Sequence, residues 1–251
     1  MINTGCAAGT DSETFYYFNP DSSQSNLTRL KQEMERFLNK KGLVLNFQPF
    51  AKYHDFHREM QDNLPAFIFL PDWYYQQNKT KITLKPLLQP IRKGLSTYRK
   101  VLLTSQDSTL TIQGLRNKFF AMTTMGNEAP DLLNRLLFNQ FKIESSSLNI
   151  IATPKDSDAL FALAVRQVDA ALVSKNNLQR IGRINPRILQ IVRPLAESQP
   201  IPLPILCAGN GKVPDEKVMK LKKIFLEASY SDDSADLMEM LQIDAWHNYS
   251  R

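Results

Sequence analysis

Apolar positions along this chain follow two alternating rhythms. Continuous runs such as Phe15-Tyr16-Tyr17-Phe18, Ala66-Phe67-Ile68-Phe69-Leu70 and Ile205-Leu206-Cys207-Ala208 are bounded by turn residues, among them Asn19-Pro20-Asp21-Ser22 and Pro71. Runs of this length predict buried strands. Between them Leu27, Leu30, Met34, Phe37 and Leu38 recur at helical spacing, which predicts a helix capped by Asn26 and ended near Gly42. The same reading places strands over 43–47, 101–104, 119–122, 148–152, 168–173 and 188–192. It places helices over 53–63, from Pro130 onward, and over 156–166, 214–228 and 234–241. Strands that alternate with helices predict an α/β protein with mostly parallel sheets.

Pro194, Pro200, Pro202 and Pro204 cluster before the 205–208 run, and their fixed φ and missing N–H favour an extended connector. A polar bend, Gln106-Asp107-Ser108, follows the 101–104 strand. The chain is therefore expected to cross twice between two lobes, near Ser105 and near Ser198. The expected division is a disordered tail over 1–12, lobe I over 13–104 and 199–251, and lobe II over 105–198.

Composition narrows the function classes. The 251 residues are 43% hydrophobic and 22% charged, and no apolar run approaches a membrane span. The net charge of +6 permits anionic partners, but the lysines Lys217, Lys220, Lys222 and Lys223 read as a solvated helix face. No zinc-finger spacing or aromatic RNA-binding string accompanies them, so no nucleic-acid partner is expected. Cys6 and Cys207 are the only cysteines, which argues against a disulfide framework. Gly5-Cys6-Ala7-Ala8 is a faint match to a lipoprotein processing site, with Asn3 where an apolar residue belongs.

Catalytic patterns are missing. There is no G-x-S-x-G elbow and no phosphate-binding P-loop, and Gly209-Asn210-Gly211-Lys212 reads as a turn before the Pro214 helix. His54 and His57 lie three apart beside Asp55 and Glu59 without a third ligand type nearby, so they read as solvent-facing histidines rather than a metal site. Asp156 and Asp158 open a helix, where carboxylates complement the positive end of its dipole. The chain is thus expected to be non-enzymatic, with no cofactor.

The segment 98–130 runs strand, bend, Gly114-Leu115-Arg116-Asn117-Lys118, strand, polar loop and helix start. Together with Tyr53, Leu70-Pro71-Asp72-Trp73-Tyr74-Tyr75, Arg166-Gln167-Val168-Asp169-Ala170-Ala171 and Glu197-Ser198-Gln199-Pro200, it resembles the type II periplasmic solute-binding proteins of phosphate, phosphite and phosphonate ABC transporters. The resemblance covers nearly all of the chain from Phe15. It implies two lobes joined by a two-strand hinge, a ligand trapped between them by hinge closure, a periplasmic monomer and an inner-membrane ABC permease as partner. A ligand sensor reporting to a membrane histidine kinase, and retained phosphonate or oxyanion binding, stand as alternatives.

The resemblance also implies the cleft residues. Thr123-Thr124-Met125-Gly126-Asn127-Glu128 occupies the place of the family's Ser/Thr phosphonate loop, Asp156 and Ser157 lie at the start of the 156–166 helix, and Ser174 follows the 168–173 strand. Thr123, Thr124, Met125, Asn127, Glu128, Ser157 and Ser174 are its expected ligand contacts there, facing Tyr53, Trp73, Tyr74 and Tyr98. Met125 is apolar, and Glu128 turned inward would repel a dianion by roughly 1 kcal/mol at about 4 Å in water, and more in a dry cleft. Phe50, Tyr53, Trp73, Tyr74 and Tyr75 offer aromatic contact with polar tips. The expected ligand is therefore a small molecule other than a simple phosphonate, larger and amphipathic or lipid-like.

Overall fold

The computed structural model describes residues 13–22, 24 and 26–250. Cys6 and the rest of the 1–12 tail lie outside them. In chain order the first half comprises β1 (Thr14–Phe18), α1 (Leu27–Lys40), β2 (Asn46–Phe50), α2 (Tyr53–Asp62), β3 (Phe67–Leu70), α3 (Asp72–Asn78), β4 (Leu84–Ile91), β5 (Thr97–Tyr98), β6 (Lys100–Ser105), β7 (Phe119–Thr123) and α4 (Ala129–Leu133). There follow β8 (Asn149–Thr153), α5 (Asp156–Ala164), β9 (Ala170–Ser174), α6 (Lys175–Ile184), α7 (Arg187–Ile191), β10 (Val192–Glu197), β11 (Ile201–Pro202), β12 (Ile205–Gly209), α8 (Asp215–Ala228), α9 (Ala235–Leu241) and β13 (Ala245–Asn248).

Two sheets define two lobes. Lobe I holds six strands in the order β13-β4-β12-β3-β1-β2, and lobe II holds five in the order β10-β6-β9-β7-β8. The expectation of mostly parallel strands holds for β2-β1-β3 and for β9-β7-β8. It gives way around β12 and β6, which enter their sheets straight from a crossing and run antiparallel to their neighbours, and at β13, which runs antiparallel to β4. The sheets are mixed.

Between the lobes, β5 and β11 pair antiparallel with Tyr98 opposite Ile201. Since β6 already belongs to the lobe II sheet, the first crossing lies at residues 97–100, before Ser105. Ser198 ties the two crossing strands: its N–H donates to the Lys100 carbonyl at 2.8 Å, its hydroxyl accepts from the Lys100 N–H at 2.9 Å, and its carbonyl accepts from Arg99.

Local chemistry explains most boundaries. The Asn26 side chain accepts from the Arg29 N–H at 2.9 Å, Leu30, Met34, Phe37 and Leu38 bury one face of α1, and Gly42 turns the chain out at φ +70°. Each such buried side chain contributes about 1.5–3 kcal/mol. The strand expected over 188–192 is instead α7, with β10 starting only at Val192. Ile188 is buried there while Leu189 and Ile191 are exposed, a one-sided pattern that a single-turn helix satisfies and a central strand does not. Besides the short hinge strands β5 and β11, two strands were not anticipated, β4 and β13. Pro86 and Pro90 interrupt the β4 run, yet β4 pairs with β12 and β13, and Trp246 of β13 packs against Phe69 and Phe225.

The core has three parts. One lies on the α1, α8 and α9 side of lobe I around Phe15, Phe47, Phe67 and Phe225, and another beneath α5 in lobe II around Leu103, Ala121, Leu160 and Leu163. The middle one is continuous across both lobes: Tyr16, Phe18, Ile68 and Trp73 from lobe I pack with Leu102, Phe120, Met122 and Met125 from lobe II. No helix among the described residues is long and apolar enough to cross a membrane.

Candidate functional site

The carboxyl ends of β1, β7 and β9 and the first turns of α5 and α6 converge where the lobes face each other, the usual location for ligand contacts in α/β sheets. Here that convergence is filled by side chains. Lys100 opens β6, and its ammonium is wholly buried. Its three protons reach Asp21 Oδ1 at 2.6 Å, Thr123 Oγ1 at 2.7 Å and Asp156 Oδ1 at 3.3 Å.

Asp21 comes from the turn after β1, so it reaches across from lobe I. Its Oδ1 accepts from Lys100 and from the Thr123 hydroxyl at 2.6 Å, and its Oδ2 accepts from the Tyr98 hydroxyl at 2.5 Å. An ammonium and two hydroxyls around one carboxylate form the donor set that an oxyanion receptor would present. Asp156, the first residue of α5, uses its second oxygen to accept from the Ser174 N–H at 2.8 Å and from Asn177 Nδ2 at 2.9 Å. Asn177 Nδ2 also donates to the Asp21 carbonyl at 2.9 Å, and Ser174 caps α6 by accepting from the Asn177 N–H.

Burial by itself would push all of these ionised groups toward neutrality. For Asp21 the Lys100 charge and the hydrogen bonds from Lys100, Thr123 and Tyr98 outweigh burial and hold the carboxyl below its ordinary range. For Asp156 burial wins, and its carboxyl is raised despite Lys100. The Lys100 ammonium is raised, since the fields of Asp156 and Asp21 overcome its desolvation. Tyr98 is raised strongly, first by burial and then by Asp21.

The aromatic residues form the other half of the contact. Tyr53 stacks on His57 at 5.3 Å between centroids, with Trp73 and Tyr74 each at 6.2 Å, and the Tyr74 hydroxyl is 3.0 Å from His57 Nδ1. Trp73, Tyr74 and Met125 are buried. The Met125 carbonyl accepts from Gln77 Nε2 at 3.1 Å, and Thr124 Oγ1 accepts from the Gly126 N–H at 3.3 Å. Gly126 has φ +81°, and a Cβ there would stand 2.5 Å from Gln77 Oε1 and 2.9 Å from Trp73. Only glycine fits where the lobe II loop presses on α3.

The sequence-predicted residues therefore separate into three groups. Tyr98, Thr123 and Ser174 join the polar network, and Tyr53, Trp73, Tyr74, Thr124 and Met125 form the aromatic contact. Asn127 and Glu128 are exposed and Ser157 is half-buried, with Ser157 facing Asp158 and Glu128 on the rim of a cavity of about 490 Å³ shared with Trp73, Gln77, Leu132 and Leu136. The charge expected at Glu128 is thus outside the polar centre, and the carboxylates inside it are Asp21 and Asp156. Asp21, Lys100 and Asn177 were not singled out from the sequence. The one visible signal was a lysine at the edge of the apolar run that becomes β6.

Comparisons with known proteins agree with this architecture. The family model for ABC transporter, phosphonate, periplasmic substrate-binding proteins matches residues 16–250, and the chain belongs to that family. No curated protein matches by sequence. Among solved structures, the binding-protein component of a phosphonate ABC transporter from Pseudomonas aeruginosa has a TM-score of 0.78 at 15% identity, over 95% of this chain and 81% of that one. PhnD1 from Prochlorococcus marinus, in complex with methylphosphonate, has a TM-score of 0.77 at 12% identity, over 94% and 92%. The alkanesulfonate-binding protein SsuA from Xanthomonas axonopodis, bound to MOPS, has a TM-score of 0.62 at 15% identity, over 94% and 79%. These likenesses establish a shared two-lobed fold.

Proposed function

We propose that this member of the phosphonate-transporter binding-protein family captures a small amphipathic molecule, other than a simple phosphonate, for an ABC permease. The observation that carries the reading is the charge inside the cleft. Two carboxylates, Asp21 and Asp156, already share the single ammonium of Lys100. A dianion entering that space would face both carboxylates, each repelling a unit charge by roughly 4 kcal/mol at about 4 Å in a partly screened protein environment.

The aromatic side of the cleft supports a different ligand chemistry. The cavity of about 490 Å³ is bounded on one side by Trp73, Leu132, Leu136 and Ile201 and on the other by polar side chains that include Gln77, Glu128 and Arg135. A cavity with one apolar and one polar wall suits a ligand that has a hydrocarbon body and a polar end. Tyr53, Trp73, Tyr74, Thr124 and Met125 are the contacts it would use on partial opening of the lobes. Tyr98, Thr123 and Ser174 would remain with the chain's own carboxylates.

Calorimetry with methylphosphonate, phosphite and a short-chain fatty acid tests this proposal, together with native mass spectrometry of protein purified from its own host. The expected result is heat from the amphipathic probe and none from the two oxyanions. Tight methylphosphonate binding that disappears in Lys100→Met would overturn it.

A further inference from the structure

A second cavity, of about 550 Å³, opens between the lobes beside α6 and α9 and shares no lining residue with the aromatic one. Lobe I contributes Arg29 from α1 and Arg92 and Lys93 from the turn after β4, and lobe II contributes Arg180 and Arg183 from α6. We propose that this groove is a binding site for a small polyanion carrying two or more phosphate-type groups, and that such a ligand ties the lobes together.

The charge pattern carries the inference. Five cations meet three carboxylates there, Asp236, Glu239 and Asp244. Among the described residues the side chains of Arg29, Lys93 and Arg183 have no carboxylate within ion-pair distance, unlike Lys40, which pairs with Asp233, or Lys175, which pairs with Glu197. The Asp244 carboxylate is engaged with the Lys93 backbone N–H at 2.5 Å. Arg180 and Arg183 are three apart on α6, so their like charges share a face and repel.

Geometry narrows the ligand class. Four of the five cations are arginines, whose planar forks bind phosphate oxygens in pairs. Arg92 is already anchored, its Nε donating to the Gln242 carbonyl at 2.5 Å and its Nη2 to the Leu241 carbonyl at 3.4 Å, at the end of α9. Cations on both walls call for a ligand with separated charges. The volume of about 550 Å³ is in the range of small-molecule sites. Asn176 lines the groove next to Asn177, which bonds Asp21, so a ligand that clamps α6 to lobe I would also stiffen the cleft contact.

The site is independent of the cleft reading, and its test is separable from that one. Titrating the full chain with inorganic tripolyphosphate at low salt is expected to show saturable binding that weakens steeply as salt rises. Arg29→Glu combined with Arg183→Glu is expected to weaken it by about tenfold or more, with an unchanged thermal midpoint without probe as the check on folding. Lys222→Glu combined with Lys223→Glu removes the same formal charge elsewhere and is expected to leave binding within about twofold. Absence of saturable binding overturns the proposal, as does equal weakening by the two double variants, which would mean attraction to net charge only. Repeating the methylphosphonate titration in the Arg29→Glu and Arg183→Glu background separates a failure of this site from a failure of the cleft reading.

Discussion

Two polar regions join the lobes, and they treat charge in opposite ways. In the cleft, Lys100 is buried and spends its three protons on Asp21, Thr123 and Asp156. In the groove beside α6, cations from both lobes face one another at the surface, and Arg29, Lys93 and Arg183 stay unpaired with carboxylates among the described residues. The first region is a network in which Lys100 is held by the protein's own groups. The second has charge to offer. A buried ion is costly unless every partner is present, whereas an exposed cation is solvated and contributes little to folding. The cleft should therefore matter mainly to stability and closure, and the groove mainly to association.

The largest test of that contrast is Lys100→Met. Removing the ammonium leaves Asp21 and Asp156 facing each other without compensation, which is expected to cost about 3–5 kcal/mol in urea unfolding. A loss under about 1 kcal/mol would mean that the network is not a unit. Asp21→Asn is milder, since it preserves shape and an acceptor oxygen while removing one charge. The expected loss is about 1.5–3 kcal/mol, the range for hydrogen bonds to charged groups. Because Asp21 is the lobe I end of the network, small-angle scattering should also show a larger radius of gyration for this variant. Unchanged scattering with lowered stability would assign Asp21 a local role within lobe I instead.

How far each region could be read from the sequence follows from how local its causes are. The α1 cap at Asn26, its end at Gly42 and the buried 67–70 strand depend on neighbours a few positions away, and periodicity shows them directly. The strand order of the 98–130 segment was enough to bring Tyr98 and Thr123 to the cleft. The Asp21–Lys100 bond joins positions 79 residues apart, and Lys100–Asp156 joins positions 56 apart. Asp21 looked like part of an ordinary Asn-Pro-Asp-Ser turn, and Lys100 like the polar edge of a strand. Only the register of β6 against β9, which sets Lys100 opposite Ser174, brings the charge inward. The groove was equally hidden, because Arg29, Lys93 and Arg183 lie on elements that meet only through the two crossings. The β4 strand was missed for a different reason: its prolines lowered the strand signal, and pairing on both sides restored it.

Alkaline titration probes the cleft more gently. Lys100 is raised in the folded protein, so its contribution is fully present below the unfolded value near 10.4 and is lost as pH rises through the folded one. Tyr98 is raised as well, so it acts in the same direction, holding its proton in the native state where the unfolded chain has lost it. Asp21, held below its ordinary range in the folded protein, is ionised on both sides of unfolding at these pH values and adds no slope. Urea midpoints are therefore expected to stay level up to about pH 10 and to fall beyond it. The fall should be shallower in Asp21→Asn, which weakens the field acting on both groups. Tyr16, raised to about 12 by burial and then Glu59, provides a background slope that this substitution leaves alone. An identical alkaline slope in the two proteins would remove Asp21 as the source.

The smallest expected effect belongs to the groove, and its size is informative. Arg183 is exposed on α6, three residues from Arg180 and across the groove from the lobe I cations. If its charge is held for a ligand rather than for the fold, Arg183→Ala gains a stronger helix former and relieves repulsion while losing a cation in the last turn of α6, so stability should change by less than about 0.5 kcal/mol. A loss above about 1 kcal/mol would show that Arg183 is already satisfied by the protein, and the difference between the two regions would shrink to one of depth alone.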